Sequence, residues 1–154
     1  MICSVGINSR FVSLIGGPCT VGPGKVVDIP LKKTIRVYFD IIENNENAQH
    51  LKAATKFYDD LEKTVSSNKC TMDIWAYGVD QFGLLEMKNL CNHTGGLLAM
   101  HEEFSHYIFK ESFERFYSAN EAGMFNFPFA TTLKIRICKE MKLNGILGLA
   151  KSMK

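Results

Sequence analysis

The sequence predicts an α/β fold in which helices cover a parallel sheet. Short apolar runs alternate with longer amphipathic stretches, in the order strand, helix, strand, helix, strand, helix. The apolar runs are RFVSLI from Arg10 to Ile15, MDIWAYGV from Met72 to Val79 and LLAM from Leu97 to Met100. Apolar strands separated by helices are typical of parallel sheets, because each crossover helix covers a face of the sheet.

Composition excludes several other classes of protein. The chain has 154 residues, which suits one domain, and 46% of them are hydrophobic, which is too many for a disordered segment. No apolar run reaches ~18 residues, so the sequence predicts no membrane span, and the first residues lack the pattern of a secretory signal. The net charge is +2, with no block of like charges, so we expect no nucleic-acid partner. Five scattered cysteines, an odd number, indicate a reducing compartment rather than a disulfide framework.

The predicted helices are amphipathic. Over residues 48–65 apolar side chains recur every three or four positions, and a short helix is predicted over 84–90. A second amphipathic helix, over 104–117, carries an aromatic stripe. Aromatic stripes at helical spacing usually face a core, so we expect a structural core made of Trp75, Phe109, Phe113 and Phe116.

The pattern changes near residues 120–128. Leu133, Ile135 and Ile137 alternate with polar residues, which predicts a half-buried antiparallel strand over 132–138 and a returning strand over 141–149. The tail is therefore predicted to belong to a second, all-β unit.

The glycine-rich loop GGPCTVGPG, from Gly16 to Gly24, first suggests a phosphate site. It does not match a Walker A loop, because Val26 follows Lys25 where that loop needs Ser or Thr, and two prolines remove backbone donors. A structural loop is the better interpretation. The alternative is a small α/β enzyme that binds phosphate or a nucleotide with this loop and Asp80, which follows the second strand.

No metal or catalytic motif emerges from the spacing of titratable residues. His101 and His106 are five positions apart, whereas two histidine ligands on one helical face need a spacing of four. Cys91 and His93 lack a second pair of ligands nearby in the sequence. We therefore expect no catalytic residue, cofactor or metal in this chain.

Longer runs carry a resemblance to a known family. These runs are IGGPCTVGPGKVV, ATKFYDDL, DIWAYGVDQFGLLEMKNL, TGG, FKESFERFY and MFNFPFATTLKIRICKEMKLNGILG. In this order the chain resembles the trunk region of the GTPase-activating subunit of the COPII inner coat. The resemblance covers nearly the whole chain, and its most specific parts are the glycine-rich loop and the run DQFGLLEMK.

The resemblance implies a fold and a division of the chain. Residues 1–120 would be the C-terminal half of a von Willebrand A-type trunk domain, with a partial parallel sheet and flanking helices. Residues 121–154 would begin a β-sandwich of antiparallel strands. The metal-binding D-x-S-x-S run of A-type domains is absent from the sequence. The zinc finger of the family precedes the trunk and has no match here.

The resemblance also implies a function. The chain would be a structural segment of a COPII coat protein in transport from the endoplasmic reticulum to the Golgi. It would be cytoplasmic and peripheral to the membrane at exit sites and on vesicles. Its partners would be the cargo-adaptor coat subunit and the small coat GTPase. The arginine finger of the family lies in a later domain, so GTPase activation is expected only of the full-length protein, and the chain itself is not expected to be an enzyme.

Two surfaces follow as candidates for contacts. Exposed positions in the glycine-rich loop and on the polar face of the 48–65 helix are candidate partner contacts, namely Pro18, Thr20, Pro23, Lys56 and Asp59. The strand Arg10–Ile15 would be the fourth of an A-type sheet and would lack its neighbour in this chain. An unpaired apolar edge strand can form backbone hydrogen bonds with a strand of another molecule, so we expect self-association through this strand.

Overall fold

The computed structural model describes residues 8–31, 35–43, 46–79, 81–125, 127 and 131–152. In this part of the chain, β1 (Arg10–Ile15), β2 (Thr71–Tyr77) and β3 (Leu98–His101) form one sheet in the order β1-β2-β3. Both pairs are parallel, with Arg10 aligned to Thr71 and Ile74 to Leu98. The predicted α/β fold with a parallel sheet is therefore confirmed.

Helices connect and flank these strands. They are α1 (Tyr38–Glu43), α2 (Leu51–Ser67), α3 (Leu84–Asn92) and α4 (Tyr107–Phe116), with a 3-10 turn at Glu46–Ala48. The last three agree with the predicted helices to within one turn at each end. Helix α1 was not predicted, because its six residues are too few to show a helical apolar period. No helix in the described ranges is both long and apolar enough to cross a membrane.

The central strand β2 is covered on both faces. Ile74, on one face, lies in a core built mainly from α2 and α3, with Tyr58, Met87 and Leu90 among its members. Trp75, on the other face, contacts α4. Burial on both faces explains why β2 reads as a continuous apolar run rather than as an alternating strand.

Gly96 lets the chain enter β3 in close contact with β2. A Cβ atom at this position would lie 1.8 Å from the carbonyl oxygen of Met72. No side chain fits at that distance, so glycine is required by the approach of two backbones.

The tail does not form the strands that its alternation predicts. Among described residues 131–152 no strand is present, so the strands predicted over 132–138 and 141–149 are not confirmed. Leu133 is 80% exposed and Ile135 is 49% exposed. A strand with one apolar face is stable only when that face is covered by other elements, whereas residues 131–152 are exposed throughout. The division of the chain near residue 120 stays a prediction.

Candidate functional site

The glycine-rich loop packs against helix α2. The backbone N–H of Val26 donates to the carbonyl oxygen of Cys19 at 2.8 Å, which closes the loop into a turn. Gly24 is buried, and a Cβ atom there would lie 2.8 Å from the hydroxyl oxygen of Tyr58. That hydroxyl donates to the carbonyl oxygen of Gly24 at 3.3 Å. The loop therefore lies directly on α2, and the two candidate surfaces are neighbours.

The predicted contact residues of the loop differ in exposure. Pro18 and Thr20 are half-buried, whereas Pro23 is exposed at the outer end of the loop. Of these three residues, Pro23 is therefore the one most open to a partner.

The two predicted contact residues of α2 have different environments. Lys56 is exposed. Asp59 is half-buried and accepts a hydrogen bond from Nδ2 of Asn89 on α3, at 2.9 Å. Asp59 therefore joins the two helices, and Lys56 is the residue of this pair that is available to a partner.

A polar cluster ties the end of the loop to the beginning of α2. The carboxylate of Asp28 accepts hydrogen bonds from Nζ of Lys25 at 2.7 Å and from Nε2 of Gln49 at 3.1 Å. Nε2 of His50 lies 2.8 Å from the same carboxylate. The hydrogen bond from Lys25, followed by that from His50, lowers the pKa of Asp28 to about 2. The loop is therefore fixed at this end by charge as well as by packing.

Asp73, on the central strand, is fully buried and holds one polar network together. Arg10 donates to both of its carboxylate oxygens, at 2.6 and 2.7 Å. The hydroxyl of Tyr117 and the backbone N–H of Leu97 also donate to it, at 2.7 and 2.6 Å. Burial, together with the hydrogen bond to Asp73, raises the pKa of Tyr117. These donors join β1, β2, the entry to β3 and the end of α4, so the carboxylate stabilises the packing of these elements.

A second buried acid is also paired. Arg36 donates from Nε to Oε1 of Glu86 at 3.0 Å and makes a second contact from Nη2 to Oε2. Nη1 of Arg36 lies 3.4 Å from the side-chain oxygen of Gln81. Two contacts to one guanidinium group compensate the charge of this buried carboxylate.

The aromatic residues that were predicted as core surround Trp75. The indole is 1% exposed, and its ring centroid lies 5.3 Å from that of Phe113, 5.7 Å from that of Phe109 and 6.3 Å from that of Phe116. The three phenylalanines are each half-buried, and α4 has no fully buried residue. They therefore cover the indole while each remains partly exposed, so they line the core rather than lie fully inside it.

The structure brings no catalytic set together at the residues suggested by the alternative hypothesis. Asp80 lies outside the described residues. The glycine-rich loop is closed by its own backbone and by Tyr58, as described above. Within the described ranges no group of three or more His, Cys, Asp or Glu side chains could hold a metal ion. The interpretation as a small phosphate- or nucleotide-binding enzyme is not supported.

An exposed apolar segment was missed by the sequence analysis. Between residues 29 and 42, several large apolar side chains are more than 45% exposed. They are Ile29, Leu31, Val37, Tyr38, Phe39 and Ile42. The sequence signal for this surface is the high density of apolar residues in a segment for which no helix or strand was predicted.

The fold and its polar networks define a class: a helix-covered parallel sheet in which the buried carboxylates of Asp73 and Glu86 are paired with arginines. The chain belongs to the Sec23/Sec24 trunk domain family, whose model matches residues 1–117. It is 36% identical over 151 residues to "Protein transport protein SEC23 F" of Arabidopsis thaliana. That alignment covers 98% of this chain and 19% of the relative. The chain thus spans about a fifth of the length of this curated relative.

Proposed function

We propose that the chain is a structural segment of a COPII coat protein that acts in transport from the endoplasmic reticulum to the Golgi. The observation that carries the proposal is the trunk-domain match over residues 1–117. The relative is itself named a protein transport protein, and the similarity continues through the tail. The buried carboxylates of Asp73 and Glu86 each form an ion pair with an arginine, which supports a scaffold role over a catalytic one.

In this proposal the segment acts as part of a cytoplasmic coat at exit sites. Its partners are the cargo-adaptor coat subunit and the small coat GTPase. GTPase activation and zinc binding belong to other parts of a full-length family member. Residues 1–120 form the second half of the trunk, and residues 121–154 begin the β-sandwich. The end of the family match at residue 117 and the change to irregular structure after α4 support this boundary.

The partner surface is proposed to include the glycine-rich loop and the exposed face of α2. A pull-down against the cargo-adaptor subunit and the GTPase tests this, with this chain and with a longer protein that carries the rest of the trunk. Lys56→Glu is expected to weaken capture at least severalfold. Lys110→Glu is the matched control, because Lys110 is also an exposed lysine but lies on α4, across the sheet. If the complete trunk captures neither partner, the scaffold proposal fails.

We also propose that the isolated chain self-associates through β1. In the described sheet β1 pairs with β2 alone, and on its outer side Val12 and Leu14 are 40% and 55% exposed. An edge of this kind leaves backbone donors and acceptors open to another strand. Light scattering at increasing concentration should show a rising mass, and Leu14→Lys should abolish the rise. Leu147→Lys is the control, since Leu147 is fully exposed in the tail. A constant monomer mass would refute the proposal.

A further inference from the structure

One ion pair joins the C-terminal tail to the helix layer. Nζ of Lys151 lies 2.8 Å from one carboxylate oxygen of Glu62 and 3.0 Å from the other. The two residues are 89 positions apart in sequence. Glu62 is on α2, and its side chain is 4% exposed, whereas that of Lys151 is 43% exposed. Lys151 of the tail therefore forms an ion pair with the nearly buried carboxylate of Glu62.

A second basic group beside Glu62 makes no hydrogen bond to it. Nδ1 of His93 lies 3.6 Å from the same carboxylate, which is beyond hydrogen-bond distance. That nitrogen is itself buried and has no hydrogen-bond partner among the described residues. Burial of an ionised carboxylate is costly unless a cation or hydrogen-bond donors pair with it. Lys151 is thus the group that makes the closed arrangement favourable.

The tail around Lys151 has few other attachments. Its backbone passes the turn between α3 and β3, where a Cβ atom on Gly95 would lie 4.0 Å from the carbonyl oxygen of Leu149. The neighbouring Leu147 and Leu149 are 104% and 53% exposed, so apolar burial contributes little to holding this segment. Its order depends mainly on the ion pair.

We propose that Glu62 and Lys151 form an electrostatic latch that holds residues 148–151 on the helix layer. With the latch closed, the alternating segment 132–138 is part of a loop anchored at α4 and again at Lys151. With the latch open, Glu62 is hydrated, and the segment is available to pair with strands of another sheet. The latch therefore selects between a docked tail and a tail that can add strands elsewhere.

Backbone 15N relaxation of the whole chain tests the latch. Residues 148–151 of the unmodified chain should be ordered, with order parameters of about 0.85, and Lys151→Met should lower them to below about 0.6. Lys142→Met is the matched control, because Lys142 is an exposed lysine of the same tail with no ion pair found to any described residue. Its order parameters at 148–151 should equal those of the unmodified chain.

Glu62→Gln separates charge from packing, since the amide keeps the shape of the side chain. It should release the tail as Lys151→Met does, while the resonances of β2 and α3 stay in place. The latch is refuted if residues 148–151 remain ordered in Lys151→Met, or if they are already flexible in the unmodified chain. Release by Lys151→Met without release by Glu62→Gln would also refute it, because the ammonium of Lys151 would then hold the tail without the charge of Glu62.

Discussion

Replacement of Arg10 by methionine should destabilise the fold strongly. Methionine keeps the apolar stem but removes the guanidinium group, which donates to both oxygens of Asp73. The side chain of Arg10 is 8% exposed and that of Asp73 is 0% exposed, so water does not replace the lost donors. Removal of one partner from a buried ion pair costs about 3–5 kcal/mol, because the remaining charge is uncompensated.

Urea denaturation followed by tryptophan fluorescence measures this loss. Trp75 is the single tryptophan of the chain, is 1% exposed, and donates from Nε1 to the hydroxyl of Tyr117 at 3.0 Å. Its emission therefore reports on the same network. With a slope of about 2 kcal/mol per molar urea, the midpoint should fall by about 2 M. Arg115→Met is the control, and a substitution at this exposed arginine should change stability by about 0.5 kcal/mol or less.

Two further variants test the network around Asp73 even if Arg10→Met does not fold. Tyr117→Phe removes one donor to the buried carboxylate and should cost about 1.5–3 kcal/mol. The double variant Arg10→Met with Asp73→Asn should cost less than the sum of the two single changes, because no uncompensated charge remains. A loss below about 1 kcal/mol in folded Arg10→Met would show that the carboxylate is compensated by other means.

The remaining predictions concern packing, thiols and pH. Gly96→Ala should cost about 3 kcal/mol or more in thermal unfolding, because its Cβ would overlap a backbone carbonyl, whereas Gly145→Ala, with no atom within 4 Å, should be nearly neutral. Burial raises the pKa of Cys91 to about 12, so iodoacetamide should label the exposed Cys138 first and Cys91 only on unfolding; equal rates would contradict this. Asp28→Asn should lower stability above about pH 4, and this effect should shrink as the pH falls from about 4 and vanish below about pH 2. The reason is that the pKa of Asp28 is lowered to about 2 in the folded state, so its contribution is lost as it takes up a proton. A stability difference that stays constant from about pH 4 down to about pH 2 would refute the ion pairs.

Local periodicity was sufficient to predict most of the sheet and its helices. The run from Met72 to Val79 predicts β2 because burial on both faces removes polar positions from a strand. Helix α2 is predicted by apolar spacing alone, and its observed bounds are Leu51–Ser67. Helix α1 has only six residues, which is too short for an apolar period to be recognised in the sequence.

The tail shows where the same reasoning fails. The alternation of apolar and polar residues over 132–138 indicates that one face of a strand is suited to burial. It does not indicate whether a partner strand is present. Asp59 illustrates the corresponding limit for the candidate surface. It lies beside the polar face of an amphipathic helix, yet it accepts a hydrogen bond from Asn89, on a different helix. Partners across elements are not visible in the spacing of one element.

The sequence by itself determined the α/β class, the order of strands and helices, and the resemblance that led to the family. The tertiary structure decided which charges are neutralised and which surfaces stay open. Arg10 and Asp73 are 63 residues apart, and Glu62 and Lys151 are 89 apart. Periodicity describes the environment of a residue relative to its neighbours along the chain. The free energy of a buried charge depends instead on groups that the fold brings beside it from distant positions.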